Sequence, residues 1–500
     1  MTHVPLLQER DRLTPLRIAS SMAPTGAVSA ELAEFTAWFA DCHRHAYAEV
    51  ERIPLDRLEG WYVERDTGNI RHHSGKFFSV EGLFVDLPGG PVQRWHQPII
   101  IQPEIGILGI LVKEFDGVLH CLMQAKIEPG NANGLQLSPT VQATRSNYTR
   151  VHGGKPVPYL KYFVDTARSS VVADVRQSEQ GSWFHQKRNR NMVVEVREDI
   201  EVLDGFRWMT LGQVHQLLAV EDVLNMDART VLSCLPFSGG DLEQAYPLAG
   251  DDAFQDALVR SCDERSGSLH PMSDILSWIT ERRTLTEITT RIIPLNTVAH
   301  WDFGPERIEH ETGRFFGVIG VDVTARGREV THWTQPMVEP HGTGVVAFLV
   351  REIEGVLHAL VQARVEPGFV DVIELAPTVQ CAPQNYDLLP TVPSYLDDVL
   401  DAEPERIRFA TVLSEEGGRF YRARNRYIVV ETDRDPRTVP DNFRWLTVRQ
   451  LIELLRHSHY VNVQARTMIA CLHAMVAGLP VDQRSVTGGQ LGEPGHELGG

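Results

Sequence analysis

Two copies of one polar strand pattern carry side chains that could do acid–base chemistry. Lys126 and Glu128 close the segment LHCLMQAKIE, and Arg364 and Glu366 close the segment LHALVQARVE. Alternation along a strand places these polar side chains on one face and apolar side chains on the other. A Lys with a lowered pKa could transfer a proton, whereas an Arg stays protonated and could stabilise an anion. The segments therefore predict a groove lined by a different cation in each copy.

A tyrosine follows each of these strands and adds a further acid–base candidate. Tyr148 ends the stretch SPTVQATRSNY, and Tyr386 ends the stretch APTVQCAPQNY. A phenol can transfer a proton when a neighbouring cation lowers its pKa. The sequence leaves open which group is the base, and the catalytic candidates are Arg364, Tyr386, Glu366, Lys126 and Tyr148.

Cations, amides and aromatic rings near these segments could hold an anionic ligand that contains a base. Guanidinium groups match phosphate oxygens, and indole rings can stack on a planar ring. The alternatives are solvated loop cations, turn-forming asparagines and core tryptophans at helix ends. The binding candidates are Trp61, Arg145, Ser146, Asn147, Tyr148, Thr149, Arg188 and Asn189 in the first copy, and Trp301, Gln380, Cys381, Ala382, Asn385, Tyr386, Arg422, Arg424 and Asn425 in the second.

A duplicated unit must position these residues. The stretch that ends at Tyr148 recurs without a gap before Tyr386, with about half of its positions identical, too long a period for a solenoid. Each copy reads as a helix, a set of strands and closing helices, which predicts an α+β fold with a central mixed sheet and flanking helices in each half. Turns are expected at Pro129-Gly130 and Pro367-Gly368, and Thr210 and Thr447 are expected N-caps of helices. We expect a flexible arm over residues 1–28, repeats over 29–237 and 268–478, a linker over 238–267 and a disordered tail over 479–500.

Composition excludes several classes of protein. The net charge of −18 argues against a nucleic-acid partner, because phosphate binding needs a basic surface. No apolar run approaches the ~20 residues of a membrane-spanning helix. The six cysteines form no CxxC pair or zinc-type spacing. We therefore expect a cytoplasmic protein with neither a nucleic-acid nor a membrane partner.

The repeated motifs carry a resemblance to one family. The segments QAKIEPGN and QARVEPGF, the two RNR loops, and the segments FRWMT and FRWLT resemble the NDP-hexose 2,3-dehydratases of deoxysugar biosynthesis, over about residues 31–478. The resemblance implies a duplicated Nudix-like fold, two nucleotide-sugar pockets in each chain and a homodimer. It also implies a carbon–oxygen lyase that converts dTDP-4-keto-6-deoxyglucose, without a cofactor or metal, into a dTDP-3,4-diketo-2,6-dideoxyhexose for antibiotic biosynthesis. An NAD(P)H-dependent 3-ketoreductase would act next.

Two other functions are weighed against the lyase. One is a non-catalytic nucleotide-sugar-binding protein. The other is a Nudix pyrophosphohydrolase, which needs an REUxEExGU carboxylate cluster, whereas the segment at 351–354 reads REIE and lacks the double glutamate. The loops ATRSNYT and CAPQNYD also differ, so the two pockets cannot be chemically equivalent. We expect catalysis in the second half, because Arg364 supplies a permanent cation there.

Overall fold

The computed structural model describes residues 13–23, 28–45, 48–144, 156–165, 170–239, 242–248, 250, 252–325 and 330–478. Residues 1–12 of the predicted arm and the whole predicted tail lie outside these ranges. So do five candidates of the first copy, namely Arg145, Ser146, Asn147, Tyr148 and Thr149.

Both halves are mixed α+β units, as predicted, and they use the same order of elements. The first half contains α1 (Leu13–Met22), α2 (Val28–His45), β1 (Ala48–Ile53), β2 (Trp61–Val63), β3 (Ile70–His72), β4 (Ser79–Asp86), β5 (Arg94–Ile101), β6 (Gly106–Phe115), β7 (Val118–Ile127), β8 (Leu135–Ser138), β9 (Val141–Ala143), α3 (Lys161–Val164), β10 (Val171–Ser178), β11 (Phe184–His185), β12 (Arg188–Glu195), β13 (Phe206–Thr210), α4 (Leu211–Gln216) and α5 (Met226–Ser233). The short α6 (Leu242–Ala245) and α7 (Ala253–Cys262) follow.

The second half repeats this order. It contains α8 (Met272–Leu285), β14 (Thr289–Ile293), β15 (Trp301–Phe303), β16 (Arg307–His310), β17 (Phe316–Ala325), β18 (His332–Pro340), β19 (Gly344–Ile353), β20 (Val356–Val365), β21 (Ile373–Pro377), β22 (Val379–Cys381), α9 (Leu396–Leu400), β23 (Ile407–Ser414), β24 (Arg424–Glu431), β25 (Phe443–Thr447), α10 (Val448–Leu455) and α11 (Val463–Val476). Thr210 and Thr447, the predicted N-caps, each form a capping box at the start of α4 and α10.

Parts of the predicted arm and linker are ordered. Helix α1 buries Ile18, Ala19 and Met22 in the main apolar core, and α7 buries Ala257 and Leu258 in the same core. Apolar side chains at helical spacing need a surface to cover, and here that surface is supplied by the sheets and helices of both halves. Both segments therefore belong to the folded body rather than to flexible connections.

The central sheet of each half has seven strands in the same arrangement. Its order is β10-β12-β6-β7-β13 in the first half and β23-β24-β19-β20-β21 in the second, with further strands branching from each. Strand β6 runs parallel to β12, and β19 runs parallel to β24, whereas the other pairs in these two sheets are antiparallel. The predicted mixed sheets are therefore confirmed.

The predicted polar face of the repeated strand is confined to the strand's end. Leu122 and Leu360 lie on that face and are fully buried in apolar clusters of their own. Gln124 and Lys126, further along the first strand, are only partly buried. Because Leu122 and Leu360 interrupt this face after His120 and His358, the continuous polar groove is restricted to the part that approaches the following Pro-Gly turn.

The two halves exchange strands. Strand β1 pairs with β17 of the second half, from Ala48 opposite Ala325 to Ile53 opposite Gly320. Strand β14, the second-half counterpart of β1, pairs with β4 of the first half. Each outer sheet therefore contains a strand from the other half, so the two repeats form one interlocked body.

The Pro-Gly turns also join the halves. The N–H of Gly130 donates to the carbonyl of Gly417 at 2.7 Å, and the N–H of Gly368 donates to the carbonyl of Gly181 at 2.8 Å. A Cβ at Gly130 would lie 1.8 Å from the Phe420 oxygen, an approach that glycine alone allows. The predicted turns thus hold each repeated strand against the turn that follows β10 or β23 of the other half.

Glu374 is a buried acid where the halves meet, and we expect it to make stability depend on pH. Its Oε2 accepts from Ser178 Oγ at 2.5 Å, while Oε1 has no hydrogen-bond partner among the described residues. Burial raises the pKa of Glu374 to about 7 from an ordinary value of 4.5. The first-half counterpart is neutral, since Ser414 Oγ donates to Gln136 Oε1 at 2.9 Å.

Glu374→Gln should stabilise the protein above about pH 7, by up to ~3 kcal/mol, because it removes a buried charge. Between about pH 4.5 and pH 7 the folded state keeps the proton on Glu374 that the unfolded state releases. The stability of the wild-type protein therefore falls as the pH rises through this range. Below about pH 4.5 both states are protonated and the gain should vanish. Urea unfolding at about pH 8 and pH 4 measures the difference. An equal gain in stability at both pH values would contradict this account. Gln136→Glu, the reverse change in the first half, should lower stability more at pH 8 than at pH 4.

Candidate active site

A cavity of about 1200 Å³ lies on the second half and is completed by the first half. Its second-half walls come from β20, β22, β24, the end of α8 and the loop after β22. The first half supplies the loop between β4 and β5, together with Gln180, Ser182 and Trp183. The cavity is large enough for a ligand above ordinary drug size and is lined by polar groups from both repeats.

Arg364 and Glu366 form an ion pair in this cavity. Arg364 Nε donates to Glu366 Oε1 at 2.9 Å, and Arg364 Nη1 donates to the carbonyl of Gln380 at 3.0 Å. Gln380 Nε2 donates to the same carboxylate oxygen at 2.9 Å, and the backbone N–H of Ser182 donates to Glu366 Oε2 at 3.1 Å. The guanidinium is therefore held in one orientation, and both oxygens of Glu366 are engaged. The structure brings together three of the sequence candidates, Arg364, Glu366 and Gln380, and adds a contact from Ser182.

Tyr386 and Asn385 lie on the loop beside this pair. Both line the cavity, as do Cys381 and Ala382, and Asn385 Oδ1 accepts from the N–H of Phe315 at 3.3 Å. Burial raises the pKa of Tyr386, and the charge of Arg364 opposes that effect. The phenol is therefore protonated at neutral pH and suits an acid rather than a base.

The predicted basic loop contributes unequally to the cavity. Arg424 and Asn425 line it, whereas Arg422 is exposed and stacks over the Tyr421 ring at 5.3 Å. Arg424 forms an ion pair with Asp222 of the first half at 2.8 Å. Sequence reasoning missed Arg282 of α8, which also lines the cavity. A single arginine on a helix gives no motif, so no signal in the sequence marked it.

The two tryptophans occupy equivalent places but only Trp301 borders this cavity. Trp301 Nε1 donates to the carbonyl of His96 at 2.9 Å, and Trp61 Nε1 donates to the carbonyl of Thr334 at 2.8 Å. Both rings are more than nine-tenths buried, and each indole joins the two halves. Both rings pack in the same apolar cluster between the outer sheets, and Trp301 also lines the cavity.

The equivalent region of the first half is more acidic. Lys126 Nζ lies 3.8 Å from Glu128 Oε1, and Gln142 Nε2 donates to that oxygen at 2.7 Å. A Cβ on Gly418 would lie 2.5 Å from Glu416 Oε1 and 3.7 Å from Glu128 Oε1, so these two carboxylates border the same space. Burial, together with the charge of Glu128, raises the pKa of Glu416 to about 7.

Two candidates from the RNR segment of the first half, Arg188 and Asn189, lie nearby. Arg188 is partly buried at the start of β12. Asn189 Nδ2 donates to Glu179 Oε1 at 2.7 Å, and Asn189 Oδ1 accepts from the N–H of Gly106 at 3.0 Å. Asn189 is therefore committed to protein contacts on both sides of its amide. Neither residue lines the second-half cavity.

Sequence reasoning also missed Glu415, a buried carboxylate that lines the cavity. Its Oε1 accepts from Tyr427 Oη at 2.7 Å and from Asn425 Nδ2 at 2.7 Å. Gln180 of the first half donates to Oε2. A signal was present, because Ser-Glu-x-Gly occurs at 178–181 and again at 414–417.

Among the described residues, no group of three or more His, Cys, Asp or Glu side chains is placed to hold a metal ion. No helix in the same part of the chain is long and apolar enough to span a membrane.

The fold and the site define an α+β protein of two interlocked repeats, with a fixed cation, buried carboxylates and a phenol around one large cavity. A model of the family described as NDP-hexose 2,3-dehydratase matches residues 32–235 and 272–472, which are the two halves. The chain belongs to the NDP-hexose 2,3-dehydratase family, and the resemblance and the lyase class predicted from the sequence are confirmed.

Three relatives share the name dTDP-4-dehydro-6-deoxy-alpha-D-glucopyranose 2,3-dehydratase. The chain is 51% identical to the one from Saccharopolyspora spinosa over 451 residues, which cover 89% of this chain and 92% of the relative. It is 49% identical to the one from Amycolatopsis orientalis over 470 residues, 92% of this chain and 94% of the relative. The one from Streptomyces violaceoruber is 49% identical over 453 residues, 89% of this chain and 98% of the relative.

Proposed function

We propose that the chain removes water across C2 and C3 of dTDP-4-keto-6-deoxyglucose, and that the reaction takes place in the second-half cavity. The names of the relatives support the substrate. The observation that carries the location is the fixed Arg364–Glu366 pair in the cavity wall. The equivalent Lys126–Glu128 contact is longer and lies beside further carboxylates.

The chemistry needs three groups. The C4 ketone acidifies the proton on C3, so a base removes it and an enolate forms at C4. As the ketone re-forms, the C2 hydroxyl leaves, takes a proton from an acid and departs as water. The resulting 2,3-enol becomes the 3,4-diketo-2,6-dideoxy sugar by tautomerisation. A cation beside the C4 oxygen would stabilise the enolate.

Arg364 is the cation we assign to the enolate, because it is charged at every relevant pH and is held by two acceptors. Glu366 orients Arg364. Tyr386 is the acid for the departing hydroxyl, since burial keeps its phenol protonated. Arg424 and Arg282 supply positive charge for the diphosphate, and Trp301 borders the place for the thymine ring.

The wider setting follows from the same proposal. We infer a Nudix-like topology for each half, assembly as a homodimer, a cytoplasmic location and a role in deoxysugar biosynthesis for an antibiotic. The diketo product is reactive, so an NAD(P)H-dependent 3-ketoreductase would consume it. The first-half region, with its extra carboxylates, serves nucleotide binding or dimer geometry rather than turnover.

The function is tested by incubating the purified protein with dTDP-4-keto-6-deoxyglucose in D₂O and following C2 and C3 by NMR. We expect loss of the C3 proton, deoxygenation at C2 and breakdown that releases dTDP. Unchanged substrate together with measurable dTDP binding would instead identify a nucleotide-sugar-binding protein. Release of dTMP and a sugar phosphate would identify a pyrophosphohydrolase.

Glu366→Gln should lower kcat by roughly 10²-fold, because the ion pair that orients Arg364 is lost while the side-chain shape is kept. Glu128→Gln is the matched change in the first half and should cost much less. Steady-state turnover of both variants, with substrate above KM, measures the effect. Equal losses in the two variants would contradict the assignment of catalysis to the second half.

A further inference from the structure

Glu415 is a cavity-lining carboxylate that has no role in the mechanism proposed above. It directly follows β23, is only 2% exposed, and borders the same cavity as Arg364 and Tyr386. Its three close partners, Tyr427, Asn425 and Gln180, are all neutral donors. Glu366, in contrast, accepts from a guanidinium, an amide and a backbone N–H. Neutral donors leave more basicity on a carboxylate than a permanent cation does.

The charged groups that surround Glu415 belong to both halves. Burial raises the pKa of Glu415, and the charge of Arg229 from α5 opposes this effect. Glu179, at the end of β10, lies near enough for the two carboxylates to influence each other. A buried carboxylate whose affinity for a proton is raised is a stronger base than an ordinary one.

The first half shows what Glu415 would be with acidic neighbours. Glu179, its counterpart, also accepts from an asparagine, Asn189, at 2.7 Å, but its Oε2 has no hydrogen-bond partner among the residues described. Asp227 and Glu416 occupy the places that Gln464 and Gln180 occupy around Glu415. Burial, together with the charges of Glu128 and Glu179, raises the pKa values of Asp227 and Glu416. The two acids beside Glu179 are thus replaced by two amides beside Glu415.

We propose that Glu415 is the base that removes the C3 proton, and that Gln180 from the first half is the residue that positions it. This rests on the proposed dehydration. The C3–H electron pair forms the C3–C4 double bond of the enolate, and the proton passes to Glu415. The C2–O bond then breaks with its electron pair, and the hydroxyl leaves as water with the proton from Tyr386. One proton returned through solvent from Glu415 to Tyr386 resets the site, and nothing is oxidised or reduced.

Glu415→Gln should lower kcat by about 10²- to 10⁴-fold and abolish exchange of the C3 proton in D₂O. Binding of dTDP, measured by calorimetry, should stay within about threefold, because no diphosphate contact is assigned to Glu415. The fold should tolerate this change. The Oε1 of Gln180 has no hydrogen-bond partner in the described part of the chain, so that amide can rotate to accept from the new glutamine. Glu179→Gln is the matched first-half control and should keep C3 exchange.

Gln180→Glu tests the positioning role through the pH profile of kcat/KM. A second carboxylate beside Glu415 raises its pKa, so the acid limb should move up by about one pH unit. Gln180→Met removes the donor without adding charge and should move the limb in the same direction by less. Gln186→Glu adds the same charge at an exposed position of the same connection between β10 and β12 and should leave the acid limb where it is.

The outcomes separate this inference from the proposed function. If the wild-type protein does not dehydrate the substrate, the proposed function fails and this inference fails with it. If the wild-type protein is active and a folded Glu415→Gln variant keeps C3 exchange, Glu415 is not the base. If the acid limb does not move in folded Gln180 variants, Gln180 does not position Glu415, while the assignment of Glu415 as the base stands. If Glu415→Gln does not fold, the rate of C3 proton exchange is measured in Glu415→Asp instead. An undiminished rate in that variant would overturn the assignment of Glu415 as the base.

Discussion

Arg364→Ala should lower kcat by about 10³-fold, whereas Lys126→Ala should cost less than about tenfold. The alanine removes the cation assigned to the enolate and also leaves Glu366, only 3% exposed, without its ion-pair partner. Lys126 makes a looser contact with Glu128, at 3.8 Å, and lies outside the cavity described above. Turnover and dTDP binding should be measured for both variants, since dTDP affinity should change little.

This pair of variants decides which repeat carries the reaction. If the Lys126 change alone abolished turnover, the catalytic site would lie in the first half. If both changes did so, the two pockets would act together. Arg364→Lys is a useful third variant, because it keeps a charge but loses the two directed contacts of the guanidinium.

Arg466→Ala should destabilise the fold by about 3–5 kcal/mol. The Arg466 side chain is fully buried and donates to the carbonyl of Val461 at 2.8 Å, to the carbonyl of Ser178 at 2.5 Å and to Thr230 Oγ1 at 2.5 Å. Its removal would leave buried acceptors in both halves without a donor, and leave a cavity between α5 and α11. Urea unfolding measures the loss, with exposed Arg456→Ala as the control.

The same variant should also lose activity, because Ser178 lies two residues before Gln180. Arg229 makes the mirrored set of contacts, including one to the carbonyl of Ser414 beside Glu415 at 2.6 Å. A loss of less than about 1 kcal/mol for Arg466→Ala would show that the halves are held together mainly by the exchanged strands.

Local patterns predicted the parts of the site that lie close together along the chain. Arg364 and Glu366 are two residues apart at the end of β20, so the alternation of the strand places them on one face. The capping threonines and the Pro-Gly turns were equally local and were found where expected. The loop candidates between Arg145 and Thr149 lie outside the described residues, so their part remains a prediction.

Other features had no local signature. The sequence predicts an arm and a linker where the helices at 13–22 and 253–262 lie, because their apolar patterns are short and their packing partners are distant along the chain. Gln180 gave no signal, since an amide becomes informative only when its neighbour is known. The exchange of β1 and β14 between halves could not be inferred from the repeat, because an exchanged and an unexchanged pairing use the same strands with the same sequences.

The sequence by itself determined the duplication, the α+β class, the family and the difference between Lys126 and Arg364, since each of these is written in residue order. The tertiary structure alone decided that one cavity is built from both repeats, and that Gln180 and Ser182 contact carboxylates of the other half. The physical reason is that strand alternation acts over a few residues. Hydrogen bonds between the halves instead depend on how two folded surfaces meet.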